Sequence, residues 1–219
     1  TLAPRGSAWY AHLQEMGSRW EEASDNLVTL RIYPGGAAGE EADILRKMRI
    51  GQLHAGALSL AGLQRITQAV NVLAIPMLME GPEDLARVRA VMEPRLEALF
   101  EEEGYVLIQW GDVGWIRFFL PSPAHRPDDV RKHKTPAWCE DATTQIWRDN
   151  GFQPVVLNQA DILPGLITGL VSAVGSTPLF VLTNHWFPQV PYMIDMPHTP
   201  LVGATLLDRR VWERIPEEI

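Results

Sequence analysis

Hydrophobic and polar residues alternate over residues 27–32, and this period of two predicts a β-strand that ends at the turn of residues 34–36. Residues 40–49 then carry apolar side chains at helical spacing, with acids first and bases last, as the helix dipole favours. The apolar run at residues 53–60 predicts a buried strand. We therefore expect a βαβ unit in a parallel sheet, with a binding site beyond the carboxyl ends of the strands.

The rest of the chain continues this alternation of helices and strands. Predicted helices cover residues 8–24, 83–103, 138–150 and 158–169, and predicted strands cover residues 105–110, 116–120, 152–157, 170–174, 179–183 and 201–207. Because the pattern occurs twice, we expect an α/β fold of two lobes, joined by crossing strands that act as a hinge, with the ligand cleft between them. Lobe I is expected at residues 1–117 and lobe II at residues 118–205, with the proline-rich segment 121–127 as the crossing and residues 206–219 as a segment that could return to lobe I.

Composition narrows the classes of partner. The 219 residues carry a net charge of −8 without a basic stripe, which argues against a nucleic-acid partner. No apolar run approaches the roughly 20 residues that span a bilayer, and the single cysteine, Cys139, excludes an internal disulfide. Because the chain begins at Thr1 without a methionine, we expect that a signal peptide or lipoprotein leader was removed, with a trimmed sequence as the alternative.

Catalytic and metal-binding motifs are not found in the sequence. The glycines of residues 35–39 fit neither common phosphate-binding spacing and are interpreted as a tight turn. The six histidines form no pair at metal-ligand spacing, and Ser176 lacks the second glycine of a nucleophile elbow. We therefore expect no cofactor, no metal and no enzymatic activity. An α/β enzyme of unknown reaction and a scaffold that serves only protein partners are kept as alternatives.

Eight segments, in order along nearly the whole chain, resemble the DctP-type solute-binding proteins of TRAP (tripartite ATP-independent periplasmic) transporters. They include Tyr-Pro-Gly-Gly and Gly-Glu-Glu within residues 33–41, Arg-Ile-Gly-Gln-Leu at 49–53 and Pro-Asp-Asp-Val at 127–130. The others lie at residues 75–78, 151–155, 166–171, 183–185 and 208–216. The resemblance implies a two-lobed periplasmic-binding-protein-like fold of class II, a periplasmic location, a small-molecule ligand, and the membrane subunits of a TRAP transporter as partners.

The chain also departs from the pattern of this family. Pro136 stands where family members have an arginine that pairs with the ligand carboxylate, and Ser172 stands where they have an acid. Proline offers no hydrogen-bond donor, so we expect an apolar or non-carboxylate ligand, with a carboxylate held by a non-standard anchor as the alternative. By analogy with members that lack the carboxylate pair, a periplasmic tetratricopeptide-type protein is a further expected partner. Family members continue with long helices after this pattern, so we expect either a short variant or an incomplete chain.

The predicted ligand contacts combine aromatic walls with a few orienting groups. Ser59 and Asn184 are expected to orient the ligand, and His185 is interpreted either as a hydrogen-bonding residue of the hinge or as a ligand contact. The full predicted set is Trp9, Ser59, Met77, Trp115, Pro136, Trp138, Phe180, Asn184 and Trp186.

Overall fold

Most helices begin and end close to the positions that the sequence predicts. The computed structural model describes residues 1–137, 140 and 142–216. Its helices are α1 (Ala8–Ala23), α2 (Glu41–Arg49), α3 (Leu60–Leu63), α4 (Pro82–Glu102), α5 (Pro127–Arg131), α6 (Ala142–Asp149), α7 (Gln159–Thr168), α8 (Pro178–Thr183) and α9 (Arg209–Trp212), with a 3₁₀ turn at Gln68–Ala74. Local sequence sets these bounds. Ser7 Oγ accepts a hydrogen bond from the Tyr10 N–H at the start of α1, and Gly169 adopts the left-handed conformation at the end of α7.

The strands are β1 (Ala55–Ser59), β2 (Tyr105–Leu120), β3 (Lys134–Ala137), β4 (Gln153–Val156), β5 (Val174–Ser176), β6 (Tyr192–Met193) and β7 (Thr199–Asp208). The larger sheet has the order β1-β7-β2-β5, and β6 also pairs with β2. β1 is antiparallel to β7, with Ser59 opposite Gly203, and β2 is antiparallel to β5, with Arg117 opposite Ser176. β3 and β4 form a separate parallel pair.

The chain divides into two compact units. Unit 1 contains Thr1–Ile75, Gly81–Asp112 and the described residues from Val202 onward, and unit 2 contains Pro76–Glu80 and Val113–Leu201. β2 and β7 each have residues in both units, so the chain changes unit inside strands. The proline-rich segment 121–127 lies within unit 2. The chain therefore changes unit at 75/76, 80/81, 112/113 and 201/202, whereas the sequence predicts changes at 117/118 and 205/206.

Each unit has its own apolar core. In unit 1, Gly56 of β1 lets α2 approach closely, because a Cβ at this position would lie 3.1 Å from both Ile44 Cγ2 and Met48 Sδ. In unit 2, two buried clusters hold the helices against the sheet. The first contains Phe119, Ile162, Leu166, Val171, Val174, Val181, Trp186 and Val190, and the second contains Phe118, Leu120, Val130, Ala173 and Ile194.

The expected βαβ unit with a parallel sheet is wrong in two respects. Residues 27–33 pair with no described strand, although their alternation is kept: Val28, Leu30 and Ile32 are half-buried, while the residues between them are exposed. β1 pairs with β7, and that pairing is antiparallel. The pattern predicts which side chains face inward, but it carries no information about which strand will be the hydrogen-bonding neighbour.

Two further predictions of strands are corrected by the structure. Residues 178–183 form α8 rather than a strand, because Pro178 occupies its first position and Thr177 Oγ1 accepts a hydrogen bond from the Phe180 N–H. A short apolar run does not distinguish a strand from a buried helix. Residues 105–120 form one continuous strand rather than two, since the glycines at 111 and 114 do not end it.

Candidate functional site

Ser59 is the last residue of β1, and both of its hydrogen-bond donors bind the buried carboxylate of Glu41. Glu41 Oε1 accepts from the Ser59 backbone N–H at 2.5 Å, and Glu41 Oε2 accepts from Ser59 Oγ at 2.8 Å. Gly62 also approaches this carboxylate, since a Cβ there would lie 2.7 Å from Glu41 Oε2. Burial raises the pKa of the Glu41 carboxyl above its ordinary value, and the hydrogen bonds from Ser59 and Gly62 oppose part of that shift. The Ser59 hydroxyl proton is therefore committed to Glu41.

Trp9, in the first turn of α1, lies near Ser59 in unit 1. Its ring rests on Gly111 of β2 and Gly203 of β7, and Gly203 is the residue that faces Ser59 in the β1–β7 ladder. The structure thus brings together the two predicted ligand contacts that belong to unit 1.

Met77 and Trp115 are brought together in unit 2. The Met77 N–H donates to the His198 carbonyl at 2.8 Å, and the His198 N–H donates to the Ile116 carbonyl at 2.9 Å. Trp115 Nε1 donates to the Met79 carbonyl at 3.4 Å. The segment Pro76–Glu80 is therefore fastened next to β2, with Met77 at a positive φ of 61° and its side chain exposed.

Phe180, Asn184 and Trp186 lie together on α8 and the turn after it, but two of them serve the protein itself. Trp186 is 1% exposed in the first core cluster of unit 2 and makes an edge contact with Phe180, with ring centroids 5.7 Å apart. Asn184 caps α8, and its Nδ2 donates to the Phe180 carbonyl at 2.9 Å. His185 follows at a positive φ of 56°, as at the end of many helices. The burial of Trp186 leaves it no free face for a ligand.

Pro136 lies on β3, where it faces Val155 of β4 in the parallel ladder. Its ring is half-buried, and it has no N–H to offer. Trp138, which was predicted next to it, lies outside the described residues.

Arg117 of β2 is a candidate that sequence reasoning missed. Its side chain is 24% exposed, and its Nε donates to Asp195 Oδ1 at 3.3 Å, while the Asp195 side chain is 85% exposed. Among the described residues, Asp195 is the partner of Arg117, and no hydrogen bond from the two Nη atoms is found. The signal in the sequence was a single cation inside the apolar run of residues 116–120.

Each unit also contains a cavity. The cavity in unit 1 has a volume of about 690 Å³ and is bounded by α1, residues 27–33, α2, β1 and residues 211–216. The cavity in unit 2 has a volume of about 340 Å³ and an almost wholly apolar lining that includes Phe118, Trp147, Phe152 and His198. Burial lowers the pKa of the His198 imidazole, so that it is neutral at pH 7. Of the predicted ligand contacts that the structure describes, Met77 lines one of these two cavities.

Within residues 1–137, 140 and 142–216, no cluster of His, Cys, Asp and Glu has a geometry that could hold a metal ion. No helix in the same part of the chain is both long enough and apolar enough to cross a bilayer.

Comparison with known proteins decides the family. The family model for the bacterial extracellular solute-binding proteins of family 7, DctP, matches residues 1–219. The chain belongs to this family. The members of the DctP family are transport solute-binding proteins of the periplasm and are not enzymes, and the resemblance read from the eight segments is confirmed.

Two solved structures show the fold of the DctP family member described here. A TRAP periplasmic solute-binding protein of Pseudomonas putida F1, with bound D-glucuronate, superposes with a TM-score of 0.90 at 19% identity and covers 99% of this chain and 72% of its own. DctP7 of Bordetella pertussis, an extracytoplasmic solute receptor binding pyroglutamic acid, superposes with a TM-score of 0.91 at 14% identity and covers 99% of this chain and 71% of its own. The two-lobed periplasmic-binding-protein-like α/β fold is thereby confirmed.

The curated relatives are longer than this chain. A solute-binding protein of Chromohalobacter salexigens is 22% identical over 218 residues, which is 98% of this chain and 63% of the relative. The chain thus spans slightly less than two thirds of the length of that relative.

Proposed function

We propose that this DctP-family chain acts in an extracytoplasmic receptor that captures a small organic acid and delivers it to the membrane subunits of a TRAP-type transporter. The match of the family model to all 219 residues carries the proposal. The solved relatives support it, because one is a periplasmic solute-binding protein and the other an extracytoplasmic solute receptor. A tetratricopeptide-type periplasmic partner stays a separate hypothesis that rests on the analogy drawn from the sequence.

The class of ligand changes from the first expectation. Pro136 favoured an apolar or non-carboxylate ligand, with a carboxylate on a non-standard anchor as the alternative. D-glucuronate and pyroglutamic acid, which the two solved relatives bind, are both polar carboxylates. We therefore prefer the alternative, and we no longer expect an apolar ligand.

Arg117 is the anchor that we propose for the carboxylate. A guanidinium gives bidentate, charge-assisted hydrogen bonds, and these are stronger where the group is partly shielded from water. Arg117 is less exposed than three other cations of unit 2 that form ion pairs with described residues, since Arg131, Lys132 and Arg148 are 41%, 70% and 37% exposed. Its contact with Asp195 uses Nε, and the two Nη atoms are the donors that we propose for the ligand carboxylate.

Isothermal titration calorimetry tests this function. The wild-type protein is titrated with D-glucuronate, D-galacturonate and pyroglutamate, and with D-glucose and 2-pyrrolidinone as uncharged analogues. We expect saturable binding of at least one acid and none of its uncharged analogue. Arg117→Ala should weaken that binding by about 100-fold, as the loss of a charge-assisted pair predicts.

Arg148→Ala is the matched control, because Arg148 pairs with Glu140 at the surface and should leave the affinity unchanged. Saturable binding of the uncharged analogues alone would contradict the carboxylate ligand. Equal affinities of the wild type and Arg117→Ala for the acid would show that Arg117 is not the anchor.

A further inference from the structure

The cavity of unit 1 has the size of one short strand. Its volume is about 690 Å³, and residues 27–33 line it together with Ala55 and Ala57 of β1. Neighbouring strands lie about 4.8 Å apart, and five residues of strand that are covered on both faces fill a slab about 17 Å long and 10 Å thick, or roughly 800 Å³. A strand of that length is therefore a physically reasonable occupant of the cavity.

Residues 29–33 offer an open strand edge to this cavity. Their side chains alternate between exposed and half-buried, as those of an extended chain do. The Tyr33 carbonyl accepts from the Thr1 amino group at 3.3 Å, and Thr1 lines the cavity. Because backbone groups point to the same side at every second residue, residues 29 and 31 face that side as well. The hydrogen bonds among the described residues include none that uses the backbone of these two residues.

β1 offers a second open edge, since β7 pairs with only one side of it and β1 is the last strand of its sheet. The Asp208 N–H donates to the His54 carbonyl at 2.8 Å, and bonded pairs alternate with unbonded pairs in an antiparallel ladder. Ala55 and Ala57 therefore turn their N–H and C=O groups away from β7. The N–H of Ser59, the next residue in this alternation, likewise donates to a side chain outside the ladder. Ala57 is 8% exposed, and buried backbone groups without a partner are costly.

Thr1 sets the direction of a strand between these two edges. Its amino group donates to the Tyr33 carbonyl, and its own carbonyl accepts from the Gly36 N–H at 3.2 Å. Opposed residues of an antiparallel pair exchange both hydrogen bonds with each other. Thr1 instead bonds to an earlier residue through its nitrogen and to a later residue through its carbonyl, which is the pattern of a parallel pair. Residues that continue this pairing before Thr1 run beside residues 27–33 and into the cavity.

We propose that residues preceding Thr1 in the protein's own chain form a β-strand in this cavity, parallel to residues 27–33 and bonded along its other edge to β1. Apolar side chains of α1, α2 and residues 211–215 also line the cavity, so the strand is an apolar run of about five residues. The 218 matched residues make up 63% of the Chromohalobacter salexigens relative, which leaves length for such a segment. The inference concerns unit 1 alone and does not depend on the ligand.

Amide hydrogen exchange tests the strand in the full-length protein, expressed with the residues that its gene encodes before Thr1. NMR spectra follow each amide after transfer to deuterated buffer. We expect the amides of residues 29 and 31 to exchange at least about 100-fold more slowly than those of residues 30 and 32, which point away from the cavity and serve as internal controls. The amides of Ala55 and Ala57 should be protected as strongly as that of Gly56, which faces β7. Fast exchange at residues 29 and 31 would overturn the proposal.

Nuclear Overhauser effects in the same protein identify the occupant. We expect the amides of Arg31 and Ala57 to show cross-strand contacts with one and the same segment before Thr1. Contacts with a segment after residue 219 would contradict the proposal. Contacts between differently labelled molecules in a mixed sample would assign the cavity to a second copy of the chain and would contradict it equally.

Arg31→Pro and Arg31→Ala form a matched pair of variants. Both remove an exposed side chain that lies over the Tyr33 ring, and only proline also removes the N–H. The residue before it is extended, so its backbone tolerates a following proline. Arg31→Pro should lower the melting temperature of the full-length protein by several degrees more than Arg31→Ala does, because a ladder hydrogen bond is lost. Equal melting temperatures of the two variants would show that the residue 31 N–H bonds to no strand.

Discussion

Glu41 and Ser59 form a two-point hydrogen bond in which one buried carboxylate accepts from both the backbone N–H, at 2.5 Å, and the side-chain Oγ, at 2.8 Å, of the same residue. The contact joins the first residue of α2 to the last residue of β1, 18 positions along the chain. Ser59 was predicted as a ligand contact, but its hydroxyl proton is donated to Glu41 and not to a ligand.

The first prediction concerns the pH dependence of stability. Burial raises the pKa of Glu41 above the ordinary value of 4.5, so its contribution to stability is complete below that value and is lost as the pH rises through the folded-state pKa. Glu41→Gln cannot ionise, and its free energy of unfolding should fall less than that of wild type between pH 4.5 and pH 8. Urea unfolding at several pH values measures the difference.

Glu97→Gln, on the exposed face of α4, is the control for the loss of one carboxylate, and it should follow the wild-type pH curve. Parallel curves for wild type and Glu41→Gln would show that Glu41 does not titrate in this range.

The second prediction concerns the hydroxyl of Ser59. Ser59→Ala removes one of the donors to a buried carboxylate and should lower the free energy of unfolding by about 1.5–3 kcal/mol at pH 7. Because that hydrogen bond opposes the effect of burial, its loss should raise the pKa of Glu41 further. Chemical denaturation gives the first quantity, and carbon NMR of the Glu41 carboxyl gives the second. Ser122→Ala, in an exposed loop, should change neither.

The sequence predicts which face of a segment is buried better than it predicts which strand is its hydrogen-bonding neighbour. Residues 27–32 keep the inward and outward alternation that was read from their pattern, yet they pair with no described strand. The partner of β1 is β7, about 145 positions later along the chain, and no local periodicity reports a pairing at that separation. The helix at 178–183 was missed because a short, mostly apolar run fits either period, and the deciding signals were a capping threonine and a proline.

The candidate site shows the same limit. The sequence shows that Pro136 stands where family members have an arginine. It does not show which other residue takes the role of that arginine. Arg117 stands 19 positions earlier, on another strand, and only the fold shows that it is partly buried and pairs with Asp195 through Nε. Trp9 and Ser59 were both predicted as contacts, but that they meet at Gly203 follows from the ladder of β1 and β7.

The third prediction concerns Arg210, which fastens the end of β7 to the end of α2. Its Nη2 donates to the Met48 carbonyl at 3.2 Å and the Arg49 carbonyl at 3.3 Å, and its guanidinium also pairs with Asp208. Arg210→Ala should lower the free energy of unfolding by more than a surface ion pair is worth, because carbonyl groups at a helix end lose their donor. Arg209→Ala, whose side chain pairs with exposed Glu213, is the matched control and should cost less than about 0.5 kcal/mol.

This contact also has a pH signature. The hydrogen bond from Arg210 lowers the pKa of the Asp208 carboxyl below 3.8, so the stability that it contributes is present above that value and is lost as the pH falls through the folded-state pKa. The difference between wild type and Arg210→Ala should therefore shrink in strong acid. A difference that is constant from pH 7 to pH 2 would show that the carbonyl contacts carry the whole effect.

The fourth prediction separates a core residue from a ligand residue. Trp186 is 1% exposed and packs edge-on against Phe180, so Trp186→Phe should leave a cavity and cost about 1–3 kcal/mol of stability. The affinity for an acid that binds the wild type should change by less than about twofold, in contrast to Arg117→Ala. Thermal unfolding and calorimetry of the two variants give the comparison. If Trp186→Phe keeps the stability of the wild type but loses affinity for the acid, Trp186 is a ligand contact rather than a core residue.

The fifth prediction concerns Asp195, the ion-pair partner of Arg117, which we propose as the carboxylate anchor. Its side chain is 85% exposed, so water screens the pair strongly and the contact contributes little to stability. Asp195→Asn removes the competing negative charge, and an acid should then bind several-fold more tightly, with a steeper dependence on salt, because one repulsion is gone and the guanidinium is free. Calorimetry at two ionic strengths measures both effects. Asp161→Asn, on α7 in the same unit, controls for the change in net charge. Weaker binding in Asp195→Asn would mean instead that Asp195 holds Arg117 in the orientation that receives the ligand.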